Sequence, residues 1–77
     1  MAERLDRTMI AQHLALAEAH AAQGARHVAR QREIVDELAR DGHDNRLATE
    51  LLWTFETTQA CHVSDVSRLK KELEEFG

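Results

Sequence analysis

Apolar positions recur at alternating spacings of three and four along two stretches of this chain. That pattern is typical of helices that pack against other helices. The first row consists of Ile10, Leu14, Ala17, Ala21, Gly24, Val28, Gln31, Val35 and Leu38. The second row consists of Ala48, Leu52, Phe55, Gln59, His62, Val66, Leu69, Leu73 and Phe76. The pattern therefore predicts two long helices, each with one face directed at a partner.

The segment between the rows, residues 41–45, predicts a turn. Gly42 suits the left-handed conformation that ends a helix, and the side chain of Asp44 or Asn45 can cap the next helix. We expect an all-α fold, an antiparallel helical hairpin that forms one domain over residues 1–77. Helix 1 is expected at about 2–41, the turn at about 42–44 and helix 2 at about 45–76. The alternative is one unbroken helix through Gly42 in a long coiled coil.

Folding back on this turn pairs the two rows layer by layer. In that register Gly24 faces His62, and Gln31 faces Phe55. Glycine in mid-helix costs about 1 kcal/mol relative to alanine, so a bulky neighbour is the expected reason for Gly24.

A chain of 77 residues with two helices covers little of each row, and self-association usually fills that gap. Apolar residues outside the rows point the same way, since a second apolar face is normally covered by another chain. We expect a homo-oligomer, a dimer or higher, built as a four-helix bundle. The expected interface comprises Met9, His13, Leu16, His20, His27, Leu47, Leu51 and Trp53. Trp53 can alternatively dock a different protein partner.

Three histidines, His13, His20 and His27, fall at seven-residue intervals on helix 1, and His62 lies in the second row. Imidazoles from two helices are ligands for zinc, copper or nickel, so His20, His27 and His62 are candidate metal ligands. The acids near enough in the register to assist are Glu18 and Glu56. Because a spacing of seven separates side chains by about 10 Å, the alternative is a histidine row that only flanks an interface.

Polar residues interrupt the middle of the rows at Gln31, Gln59 and His62. Polar seam residues often set the register and the oligomeric state. A pH-responsive role for His62 is the functional alternative, because histidine changes charge near physiological pH.

Ten basic residues against fourteen acidic ones give a net charge of −4. This balance disfavours general nucleic-acid or anionic-membrane binding. A basic concentration exists on helix 1, and it makes a small dimeric RNA- or DNA-binding regulator the alternative function. Its candidate residues are Arg26, Arg30, Arg32 and Arg40.

Composition also bounds the compartment and the chemistry. No stretch approaches the 18–20 apolar residues, roughly, of a membrane span, and no secretion signal is evident, so we expect a cytoplasmic protein. Cys61 is the single cysteine, which suits a reducing compartment, and we expect it to pack as a small apolar group beside the seam. Gly-rich phosphate loops, cysteine pairs and serine triads are absent from the sequence. We expect a non-enzymatic interaction or adaptor module with no catalytic residues and no cofactor.

The run from Arg26 to Val35, followed by Gly42-His43-Asp44, resembles short alphaproteobacterial helical-hairpin proteins, a group to which no activity is attached. The resemblance covers most of the chain. It implies a bacterial cytoplasmic protein, and it carries over no catalytic or binding residue. In shape alone, the expected hairpin is similar to the small plasmid repressor-of-primer proteins, which dimerise and bind paired RNA loops; a shared shape does not transfer function.

Overall fold

The computed structural model describes the backbone of residues 2–76 and the side chains of residues 6–76. Helix α1 spans Ala2–Arg40 and helix α2 spans Arg46–Phe76. The two helices pack along their length into a hairpin that measures 61 × 14 × 14 Å. The predicted all-α helical hairpin is confirmed, and the unbroken rod is wrong. Met1 and Gly77, which the expected domain includes, lie outside the described residues.

The end of α1 depends on Gly42. Its φ of 74° is the left-handed conformation, which side chains with a Cβ adopt only at a cost. The N–H of His43 donates to the carbonyl oxygen of Leu38 at 2.9 Å, and the N–H of Gly42 donates to that of Ala39 at 3.2 Å. This pair of bonds is the Schellman motif, in which the residue after the cap is usually glycine. The predicted role of Gly42 is confirmed.

The start of α2 depends on the two residues before it. The carbonyl oxygen of Asn45 accepts the first helical bond, from the N–H of Thr49 at 2.8 Å. The side chain of Asp44 accepts a bond from the N–H of Arg46 at 3.0 Å, which gives a partner to a donor that the helix itself leaves free. The predicted cap is therefore confirmed, and the side chain that makes this bond is that of Asp44.

The predicted rows form the seam between the helices. From Ile10 to Leu73, every residue of the two rows is buried or partly buried. The least exposed are Gln31 at 6%, Leu69 at 7% and Val28 at 8%, and no large side chain among the described residues is completely buried. Two helices side by side cannot surround a side chain completely, so the seam is a narrow contact rather than a core.

The register between the helices differs from the prediction by about one layer. Each seam residue of α1 contacts a residue of α2 that lies about one layer nearer the turn than expected. A Cβ built on Gly24 would overlap the side-chain oxygen of Gln59, while His62 lies at 3.3 Å from it as the second neighbour. The ring of Phe55, predicted to face Gln31, instead lies 5.8 Å from that of His27.

The compact turn explains the displacement. Asn45 is partly buried at the turn, which adds a layer before Ala48 that the prediction lacked. Every later residue of α2 is then shifted along α1, and Phe76, predicted to close the last layer, is 39% exposed.

Two glutamine side chains connect the helices by hydrogen bonds, each to a backbone carbonyl of the other helix. The side-chain nitrogen of Gln31 donates to the carbonyl oxygen of Ala48 at 2.9 Å. That of Gln59 donates to the carbonyl oxygen of Ala21 at 2.8 Å, while its own side-chain oxygen is buried without a partner. Both acceptors are alanine carbonyls, whose own side chains are too small to block the amides, and a polar middle of the seam follows as predicted.

Candidate interaction surface

The hairpin is one layer thick, so it presents two broad faces. We call the side that carries His13, His20 and His27 the histidine face. The opposite side, which carries Trp53 and Val63, is the tryptophan face. The two faces differ in shape and in chemistry, and each has its own groove.

The main groove of the histidine face lies over the middle of the seam and has a volume of about 370 Å³. Gly24 lies in its lining, and the side chain of Gln59 occupies the space that a Cβ of Gly24 would take. The lining residues are His20, Gln23, Gly24, His27, Thr54, Phe55, Thr58, Gln59 and His62. A second groove of about 300 Å³ continues toward the end opposite the turn, and His13, Leu16 and His20 contribute to it.

Exposed apolar side chains flank the main groove at both ends of the histidine face. Leu16 is 56% exposed, and Met9, seven residues earlier in the same helical row, is 51% exposed. Near the turn, Leu47 and Leu51 are 74% and 44% exposed. Each precedes a groove-lining threonine by seven residues, so both lie on the histidine face.

Trp53 belongs to the other face. It lies seven residues before Ala60, which lines the tryptophan-face groove of about 390 Å³. Its side chain is 69% exposed, and Val63 on the same face is 52% exposed. One planar contact cannot cover Trp53 together with the rest of the expected interface. Sequence reasoning missed Val63; the signal was present, because it follows Ala60 by three residues and Gln59 by four.

The histidines do not gather into one cluster. The ring centres of His20 and His62 are 5.8 Å apart, with the ring planes tilted by 49°. His27 lies against Phe55 instead. Among the residues that the structure describes, no three His, Cys, Asp or Glu side chains are close enough to hold one metal ion. Within one chain, His20 and His62 are therefore brought together, and His27 is not.

Glu56, expected near the histidines, lies on the tryptophan face. Its carboxylate is 3.8 Å from the guanidinium of Arg32. The reason is helical geometry: Glu56 is three residues after Trp53 and shares that side of α2. It is not positioned to complete a site with His20 and His62.

Two of the four candidate arginines are ion-paired. Arg30 lies 3.1 Å from Glu33 and 4.0 Å from Glu37, and Arg32 pairs with Glu56. Arg26 and Arg40 are exposed. Since carboxylates compete with phosphate for a guanidinium, the pairing reduces the positive charge that this surface offers. Nucleic-acid binding stays a prediction.

Cys61 is exposed, so its expected packing beside the seam is wrong. It follows Thr54, which lines the main groove, by seven residues, and it therefore lies on the histidine face.

Within residues 2–76, neither helix carries a segment apolar enough over a sufficient length to cross a membrane. Comparisons with protein-family models, with curated proteins and with solved structures find no match to this chain. The resemblance to alphaproteobacterial hairpin proteins thus stays an expectation.

Proposed function

We propose that this protein is a non-enzymatic interaction module that pairs with a second copy of itself through the histidine face, forming a four-helix bundle. The observation that carries the proposal is the area left exposed by the hairpin. A compact protein of 8.8 kDa exposes about 4,800 Å². This chain exposes 5924 Å². The difference between these areas, about 1,100 Å², is large enough to supply the surface of about 800 Å² that each partner covers in a standard interface.

The histidine face is the better candidate for this contact because its apolar residues are arranged symmetrically about the middle of the seam. Leu16 is eight residues from Gly24, and Leu51 is eight residues from Gln59, so each lies about 12 Å from that layer. Met9 and Leu47 lie farther out, at about 22 and 18 Å.

This spacing suits a two-fold axis that lies in the plane of the contact and runs perpendicular to the helices. With the turns at opposite ends, Leu16 of one copy lies level with Leu51 of the other along the bundle, and Met9 lies about level with Leu47. Such a contact is isologous, so every residue finds its complement and the assembly closes at two copies. The main grooves then face each other across the axis.

Sedimentation equilibrium over a range of protein concentrations tests the proposal, with a matched pair of variants. Leu16 and Val63 are similarly exposed aliphatic residues on opposite faces. We expect Leu16→Glu to weaken dimerisation, because it buries a charge, and Val63→Glu to leave it unchanged. The opposite pattern would transfer the contact to the tryptophan face, and a folded monomer at every micromolar concentration would refute self-association.

In this proposal the tryptophan face remains free for a different protein, which gives the module an adaptor role. We place it in the bacterial cytoplasm; the single cysteine and the sequence resemblance support that location. Titration with structured RNA at low salt separates the alternative function, since a regulator acting through Arg26 and Arg40 would bind under those conditions.

A further inference from the structure

The middle of the histidine face carries two imidazoles from different helices at close range. His20 of α1 is exposed and His62 of α2 is partly buried, with their ring centres 5.8 Å apart. A tetrahedral ion at about 2.0–2.1 Å from one nitrogen of each ring would hold the ring centres about 5 Å apart. A small rotation of the exposed His20 ring closes that difference.

We propose that His20 and His62 of one chain together bind a divalent late transition-metal ion, of which Zn²⁺ is the probe. Neutral imidazole suits these ions, and a chain of net charge −4 attracts cations. Since the described residues provide no group of three ligands, water occupies the remaining positions.

The rest of the histidine row does not share this site. His27 also lies 5.8 Å from a ring of α2, but that ring belongs to Phe55, which has no ligating atom. His13 is separated from His20 by seven residues, about 10 Å along α1. Among the described residues of this face, His20 and His62 are therefore the one pair that places an imidazole on each helix.

An ion held in this way links α1 to α2 beside Gly24. The unfolded chain does not hold the two imidazoles together, so binding favours the folded hairpin and raises its melting temperature. The proposal does not depend on self-association, because both ligands belong to one chain.

Calorimetric titration of untagged, EDTA-treated protein with Zn²⁺ slightly above neutral pH tests the site. We expect His20→Ala and His62→Ala each to weaken zinc binding by about tenfold or more and to abolish the zinc-dependent rise in melting temperature. His27→Ala is the matched control, with the same residue type in the same row, and it keeps both effects. Equal losses in all three variants, or no binding to the parent protein, would overturn the proposal.

A gain-of-function variant tests the geometry itself. Phe55→His places an imidazole opposite His27 at the separation of the existing pair, so bound zinc per chain should double. Circular dichroism confirms that the variant is folded, and a folded variant that binds no second ion would refute the distance argument. Repeating the titrations with Leu51→Glu, which buries a charge in the same proposed contact and adds no carboxylate beside His20, separates failure of the metal site from failure of self-association.

Discussion

Replacing Gly24 with alanine probes how the side chain of Gln59 packs against α1. At an exposed helical position, glycine to alanine gains about 1 kcal/mol. Here the new Cβ would overlap the side-chain oxygen of Gln59, and it would lie 3.1 Å from the Cδ of that residue and 3.3 Å from a ring carbon of His62. The helix preference and the packing therefore oppose each other at this site.

The expected change in stability follows from the hydrogen bond and the packing that the Gln59 side chain loses. To admit the methyl group its amide has to move, and the bond of 2.8 Å to the carbonyl oxygen of Ala21 is broken. That bond is worth about 1 kcal/mol, which cancels the gain in helix preference. Displaced packing adds about 1 kcal/mol or more. We expect Gly24→Ala to destabilise the protein by about 1 kcal/mol.

The assay is urea unfolding followed by circular dichroism, with every variant at one protein concentration because self-association contributes to the measured stability. Ala25→Gly, at the exposed neighbouring position, calibrates the helix term. In a Gln59→Ala background the overlap is gone and the contact of 3.3 Å to His62 remains, so Gly24→Ala should stabilise by about 1 kcal/mol or less. Stabilisation of the parent protein by the same amount would refute the packing of Gln59 over Gly24.

The turn and the seam allow three further tests. Gly42→Ala should cost about 1–2 kcal/mol of stability from backbone strain alone, because a Cβ there meets nothing within 4 Å. Gly42→Asn should cost less, and a Gly42→Ala variant that melts at the same temperature as the parent protein would contradict the strain. Asp44→Ala should lower stability by about 1 kcal/mol by leaving the N–H of Arg46 without its partner, which thermal unfolding measures against Asp44→Asn. Gln31→Leu should change stability little, since an apolar residue of similar size replaces a buried amide. It should form additional oligomers, because the bond to Ala48 no longer sets the register. A single species in sedimentation velocity would argue against that role.

The spacing of apolar residues predicts the seam correctly from Ile10 to Leu73 and is wrong at Phe76, which is exposed. That success has a simple cause: helical periodicity fixes the face on which a residue lies, independently of its partner. The turn was equally predictable from the sequence, since Gly42 and Asp44 act through local backbone geometry.

Register was harder to predict, because it depends on how tightly the turn closes. A displacement of one layer places Gln59 rather than His62 closest to Gly24, and it places Phe55 beside His27. Candidate ligands depend on such neighbours, which is why His27 was grouped with His20 and His62 from the sequence. The expected interface also groups Trp53 with the histidines, although its spacing of seven from Ala60 places it on the other side of the hairpin.

The placement of Trp53 away from the histidine face has a consequence for how the module would connect other molecules. If two copies pair as proposed, the two indoles point outward from opposite flanks of the bundle. The assembly is then bivalent, and a partner that recognises the indole is bridged to a second one. For partners that are themselves multivalent, such bridging raises avidity well above the strength of one contact.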